Sequence, residues 1–178
     1  MLEGKLVNLR AMKKEDIPLL VDWWSNPKFW GQYFSPLQRF ETKLEKWFED
    51  NPQFWQFIIE KKDETKIGCI SYYNIHAPYT TFLEMGYAIL PEERGKGYCT
   101  EAVKIIVDYL FLSADVACIQ ATTDVGNIAS QKVLEKSGFQ KEGILRKRVF
   151  NNGRWENSVI YSILREEWKE PKILTKTA

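Results

Sequence analysis

Apolar and polar positions alternate through residues 3–11 (EGKLVNLRA), which predicts a strand of edge character. KKEDIPLLVDWWSN then takes the spacing of a short helix, with acidic residues near its start. Residues 40–50 (FETKLEKWFED) repeat apolar positions at helical spacing, and Asn51-Pro52 closes that helix. FWQFIIEK (54–61) and KIGCISYYNI (66–75) flank the turn KDET and predict a hairpin, and TFLEMGYAIL (81–90) predicts another strand. From about Gly97, one helical stripe carries Ala102, Val103, Ile106, Val107, Leu110 and Phe111. ACIQATT (117–123) predicts a short strand. Asn127 to Gly138 predicts a helix with Asn127 as N-cap and Gly138 just past its end. Phe139 to about Phe150 and ENSVIYSIL (156–164) predict two last strands around the turn NNGRW. The order is strand, two helices, three strands, helix, strand, helix, two strands. It predicts one mixed α/β domain over residues 1–178, with a frayed tail from about residue 168.

Composition narrows the class. The 178 residues suit one domain, and 44% hydrophobic with 28% charged residues suits a folded core. The 25 basic and 24 acidic side chains leave a net charge of +1, which gives no bulk footprint for nucleic acid or an anionic membrane and argues against a strongly cationic acceptor. No apolar run reaches membrane-spanning length, and the early charges of MLEGKLVNLRAMKKED do not read as a signal peptide. Cys69, Cys99 and Cys118 are widely spaced. Cys69 and Cys118 lie in apolar runs and read as small buried hydrophobes in a reducing cytoplasm. With no CxxC pair and His76 as the one histidine, no metal site is expected, and His76 reads as a solvated loop residue.

Aromatic residues crowd one region: Trp23, Trp24, Trp30, Trp47 and Trp55, joined by Phe29, Tyr33, Phe34, Phe40, Phe48, Phe54 and Phe57. Core packing under a helical cover and an aromatic-walled acceptor pocket both account for them.

The segment PEERGKGYCTEA follows a predicted strand and opens a predicted helix. Gly95 and Gly97 permit positive φ and close backbone approach. The helix start offers unpartnered N–H groups and a favourable dipole, a site suited to phosphate, and Arg94 and Lys96 add charge. A plain turn with two solvated cations is the competing reading. A Walker loop does not fit, because no Gly-Lys-Ser/Thr follows at the required spacing. A dinucleotide fingerprint lacks its third glycine and early position.

LEMGYAILPEERGKGYCTEAVKIIVDYLF, followed by IQATTDVGNIASQKVLEKSGF, resembles the GNAT acyltransferase superfamily. Its hallmark Gln/Arg-x-x-Gly-x-Gly/Ala is met by Arg94, Gly95, Lys96, Gly97, Tyr98 and Cys99, with cysteine in the last, usually Gly/Ala, position. A second hallmark is met by Asn127, Ser130, Gly138 and Phe139. Within the superfamily, LVNLRAMKKEDIPLL and LEKSGFQKEGILRKRVFNNGRWENSVIYSILREEW resemble the branch of ribosomal-protein alanine N-acetyltransferases.

The resemblance implies an α+β fold whose mostly antiparallel, splayed sheet is flanked by helices. Acetyl-CoA would lie in the splay, its pyrophosphate on the N–H groups of Gly95 to Thr100 and its pantetheine along the strand edge from Tyr87 to Ile89. The activity implied is acetyl transfer to a primary amine, either a protein N-terminus or a small molecule, with room for a homodimer. A non-catalytic acyl-CoA sensor or scaffold is the alternative.

Transfer needs a base for the amine, and a proton for the leaving thiolate helps. Glu84 stands in an otherwise apolar strand, at a position where many GNAT enzymes carry a carboxylate; a structural strand carboxylate is the competing reading. Alternation puts Glu84, Gly86 and Ala88 on one face and Met85, Tyr87 and Ile89 on the other, without saying which face meets substrate. The Ile89 N–H is a candidate to polarise the thioester carbonyl. Where many relatives carry an acidic tyrosine this chain has Leu134. Ser130, one turn earlier on the same face, takes over the candidacy, against a hydroxyl bonded to its own helix. Asn127 combines a helix cap with an implied hydrogen bond near the pantetheine.

Overall fold

The computed structural model describes residues 1–33, 41–51, 54–77, 80–169 and 171. Among them eight strands make one sheet: β1 (Leu2–Glu3), β2 (Val7–Ala11), β3 (Phe54–Lys61), β4 (Lys66–Ala77), β5 (Thr80–Ile89), β6 (Cys118–Asp124), β7 (Gln140–Asn151) and β8 (Arg154–Leu164). The five α-helices are α1 (Ile17–Ser25), α2 (Pro27–Trp30), α3 (Glu41–Asp50), α4 (Tyr98–Ser113) and α5 (Ile128–Lys136). The strand order is β1-β2-β3-β4-β5-β6-β8-β7, and only β5 and β6 run parallel. An α+β fold with a mostly antiparallel sheet flanked by helices is therefore present.

The parallel step opens the sheet. β5 pairs with β4 along its whole length, to Gly68↔Ile89. It pairs with β6 only at Leu83↔Ile119, Glu84↔Gln120 and Met85↔Ala121. Beyond Met85 the two strands part. The Leu90 N–H donates to Ile67 O (2.9 Å), so Leu90 faces β4. Backbone groups alternate along an antiparallel strand, so those of Tyr87 and Ile89 face the side that β6 has vacated.

Strand alternation builds two cores. Val7, Leu9, Ile59, Ile70, Leu83 and Met85 pack under α4 with Ala102, Val103, Ile106 and Leu110. On the opposite face Ile58 and Cys69 meet Leu20, Trp23, Trp24, Phe29 and Leu44 from α1, α2 and α3. Trp23 stacks on Phe29 at 5.5 Å. Trp23, Trp24 and Phe29 thus serve as core under a helical cover. Trp55 is exposed and stacks on Tyr72 at 6.3 Å. Phe34 and Phe40, and the side chain of Phe54, lie outside the described residues.

Three expectations change in detail. The first strand is broken by a tight turn in which Gly4 N–H donates to Val7 O (2.9 Å). The side chain of Glu101, in the first turn of α4, closes this turn by accepting from the N–H groups of Lys5 (3.1 Å), Leu6 (2.6 Å) and Val7 (2.8 Å). β4 runs two residues past its expected end and takes in His76, whose side chain lies outside the described residues. Trp168, placed at the start of the expected tail, is docked: its Nε1 donates to Asp108 Oδ1 (2.8 Å) and its ring lies 5.4 Å from Phe111. Residues 172–178 lie outside the described residues.

Candidate active site

The turn expected to act as a cradle takes a left-handed backbone at both of its glycines. After β5 comes a 3-10 turn, Pro91–Glu93, and then Gly95 at φ 76° and Gly97 at φ 86°. These values lie in the left-handed region that glycine reaches without a Cβ penalty. Gly97 caps the sixteen-residue α4 with no side-chain bond. The N–H of Glu101 is the first to find a helical acceptor, Gly97 O at 3.1 Å. The N–H groups of Tyr98, Cys99 and Thr100 precede it at the positive end of the helix dipole, an arrangement suited to a pyrophosphate. The half-buried Cys99 thiol is pushed up to about 12, chiefly by burial, so it is a small packing group and no nucleophile.

The two cations are engaged elsewhere. Lys96 Nζ sits 2.9 Å from the Glu93 carboxylate. Arg94 bonds three backbone carbonyls: Nε donates to Ile89 O (3.2 Å), and Nη2 donates to Phe29 O (2.7 Å) and Lys28 O (3.4 Å).

On the α4 and α5 side of the opening lie Tyr87 and Ser130. The Tyr87 hydroxyl is 2.9 Å from Ser130 Oγ and donates to Ser130 O at 3.2 Å. Burial raises the Tyr87 pKa well above that of an ordinary phenol, so the hydroxyl is neutral and can donate. Asn127 Oδ1 accepts from Ser130 N (3.2 Å), the expected N-cap bond of α5. Leu134 is 1% exposed and belongs to the core, one turn away from Ser130.

Glu84 lies on the other face. It lines a cavity of about 180 Å³ with Tyr33, Thr122, Thr123, Asp124, Arg148, Val149, Glu156 and Ser158. Burial raises its pKa, while hydrogen bonding from Thr122, the charge of Arg148 and hydrogen bonding from Tyr73 pull the other way. Tyr73 is pushed up to about 12 by burial and by Glu84 opposite it. The cavity is lined by the carboxylates Glu84, Asp124 and Glu156 and by the guanidinium of Arg148, and Glu156 is also paired with Arg154. Asp124 Oδ1 accepts from Gly126 N (2.7 Å), and the Tyr33 hydroxyl donates to Gly126 O (2.9 Å), closing one wall. The gap between β5 and β6 thus has the cradle's helix on one side and this acidic cavity on the other.

A family model described as an acetyltransferase (GNAT) domain matches residues 7–140. The chain belongs to the GNAT acetyltransferase family. Its fold is the GNAT fold, and it is an acetyl-CoA-dependent N-acetyltransferase. "Probable N-acetyltransferase YjcK" of Bacillus subtilis is 32% identical over 177 residues, covering 92% of this chain and 97% of the relative. Spermidine N(1)-acetyltransferase of Vibrio cholerae is 25% identical over 166 residues, covering 91% and 95%. The crystal structure of spermidine N-acetyltransferase from Vibrio cholerae in complex with CoA and spermine superposes with a TM-score of 0.80 at 23% identity, covering 92% of this chain and 98% of that one.

In this GNAT enzyme Gly95 to Thr100, Tyr87, Ile89, Asn127 and Ser130 all border the opening or the helix starts beside it, and Glu84, paired with Gln120 just before the strands part, lies on the far face. Seven cavity residues were not singled out from sequence: Thr122, Thr123, Asp124, Arg148, Val149, Glu156 and Ser158. A signal for two of them existed. β6 alternates buried and half-buried positions, and Thr122 and Asp124 share the half-buried face with Gln120.

Proposed function

We propose that the acceptor is a small cationic amine, a diamine or polyamine, that enters the carboxylate-lined cavity and presents a primary amine to Glu84. The observation that carries this is the cavity in which Glu84 meets Asp124 and Glu156, beside the point beyond Met85 where β5 and β6 part. The net charge of +1 argued against such an acceptor, but recognition depends on the local field, and Glu84 and Asp124 with the Arg154-paired Glu156 outnumber the one lining guanidinium, Arg148. The spermidine acetyltransferases among the relatives support the same class. Glu84 takes the proton of the attacking amine. The Ile89 N–H, facing the opening, polarises the thioester carbonyl. Ser130, held by Tyr87, protonates the departing thiolate. The N–H groups from Gly95 to Thr100 hold the pyrophosphate, and the edge at Tyr87 and Ile89 holds the pantetheine.

The test is a thermal-shift titration with acetyl-CoA, CoA and ATP, followed by a thiol-release assay against spermidine, a monoamine and N-terminal peptides. A CoA-specific shift with turnover of spermidine is expected. Turnover of peptides alone would move the acceptor to protein N-termini, the chemistry of the ribosomal-protein branch. A shift with no turnover would favour an acyl-CoA sensor, a reading to which Leu134 in place of the acidic tyrosine gives some support.

A further inference from the structure

Arg94 carries the charge expected of a phosphate ligand, yet its Nε and Nη2 donate to backbone carbonyls. One of them, Ile89 O, lies on the edge of β5 that faces the opening. The other two, Lys28 O and Phe29 O, belong to α2. Carbonyls in the last turn of a helix have no acceptor role within it, and a cation there also meets the negative end of the dipole. The four-residue α2 ends at Gly31, φ 67°. The next two residues are fixed at the far wall of the acidic cavity, where Gln32 O accepts from Asn151 Nδ2 (3.1 Å) and the Tyr33 hydroxyl bonds Gly126 O. One side chain therefore joins the loop that opens the cradle, the strand edge beside the opening, and the segment that walls the cavity.

We propose that Arg94 is a positioning residue whose Nε and Nη2 tie the α2-to-Tyr33 wall of the acceptor cavity to the cofactor loop, and that this strut, rather than a phosphate contact, is its main contribution. This rests on reading the Glu84 cavity as the acceptor site and the turn at Gly95–Thr100 as the cradle. The chemistry of the residue supplies the discrimination. A phosphate contact draws on charge, which lysine keeps, as well as on the fork. A strut needs the planar fork that reaches carbonyls on two elements, and lysine lacks it.

Wild type, R94A and R94K should therefore be compared by calorimetry with acetyl-CoA and by amide hydrogen exchange, with and without acetyl-CoA. Both variants are expected to bind acetyl-CoA within about threefold of wild type, a difference under about 0.7 kcal/mol. Amides at 28–33 should exchange roughly tenfold faster in both variants. In wild type acetyl-CoA should slow exchange at 28–33 as well as at 97–101; in both variants the protection should stay confined to 97–101. Retained affinity in R94K with a large loss in R94A would overturn the proposal in favour of a phosphate contact, and unchanged exchange at 28–33 would overturn it outright. Failure of the underlying site reading looks different: wild type itself would then bind no acetyl-CoA, or Glu84→Gln would retain full turnover. R94K keeps the test open should R94A fold poorly.

Discussion

A carboxylate inside an apolar strand stands out in any sequence, but its meaning depends on neighbours from other strands. Glu84 was legible as an exception. Its face was not, because alternation defines two faces without a sign; the sign comes from α1, α2 and α3 covering the β3–β5 half and leaving the β6–β8 half of that face polar. Burial raises the pKa of Glu84, and a base works only when deprotonated. Activity is therefore lost as pH falls through that raised value, and the acid limb of kcat/KM should lie above the ordinary glutamate value of about 4.3. Glu84→Gln should remove this limb and lower kcat on the order of a hundredfold or more, with little change in acetyl-CoA affinity. A mutant profile superimposable on wild type would remove Glu84 as the base. Arg94 and Lys96 show the opposite limit: their charge is plain in the sequence, but their partners, Phe29 O and Glu93, are not.

At the scale of the element, caps and punctuation were the most readable features. Asn127 caps α5, and Gly138 follows it at φ 96°. Helix α2 escaped notice because four residues cannot display a period; the Asn26-Pro27 pair was its sole signal, realised as an Asn26 Oδ1 bond from Lys28 N at 2.9 Å. The break between β1 and β2 escaped for another reason: it depends on Glu101, almost a hundred residues away. The cradle belongs to this scale, since it is made by how α4 begins. Gly97→Asp would put a carboxylate where the pyrophosphate is proposed to bind. Acetyl-CoA should then bind at least about tenfold more weakly by calorimetry, a cost of about 1.4 kcal/mol, while far-ultraviolet circular dichroism stays that of a folded protein. Unchanged affinity would take the pyrophosphate away from this turn.

The whole molecule is a sheet with two differently finished faces, and its element order, helix α2 and the split first strand apart, followed from the spacing of apolar residues. The arrangement that holds the early strands together did not. Asp16 is fully buried and receives Arg10 through both oxygens (2.9 Å each) and Lys66 (2.8 Å), while Arg10 also reaches Glu60 (2.8 Å). Although burial opposes ionisation, the bonds from Arg10 and Lys66 hold the Asp16 carboxyl well below the usual range. Its stabilising effect is therefore complete above the unfolded-state value of about 3.9 and is lost as pH falls towards the lower folded value. Asp16→Asn should cost about 3 kcal/mol at neutral pH by removing the buried carboxylate that Arg10 and Lys66 share, leaving Arg10 with Glu60 alone. It should also flatten the fall of Tm below pH 4, and a variant that melts with the same acid dependence as wild type would count against the network. The bridge from Glu101 to the first hairpin has a consequence of a different kind. A single carboxylate serves both as the latch of the amino-terminal strands and as part of the turn that bears the cradle, so the two ends of that bridge form one mechanical unit. A fluorophore placed near Met1 would sit on the lever arm of the cofactor loop, and fraying of the first strands would loosen the floor on which the loop rests.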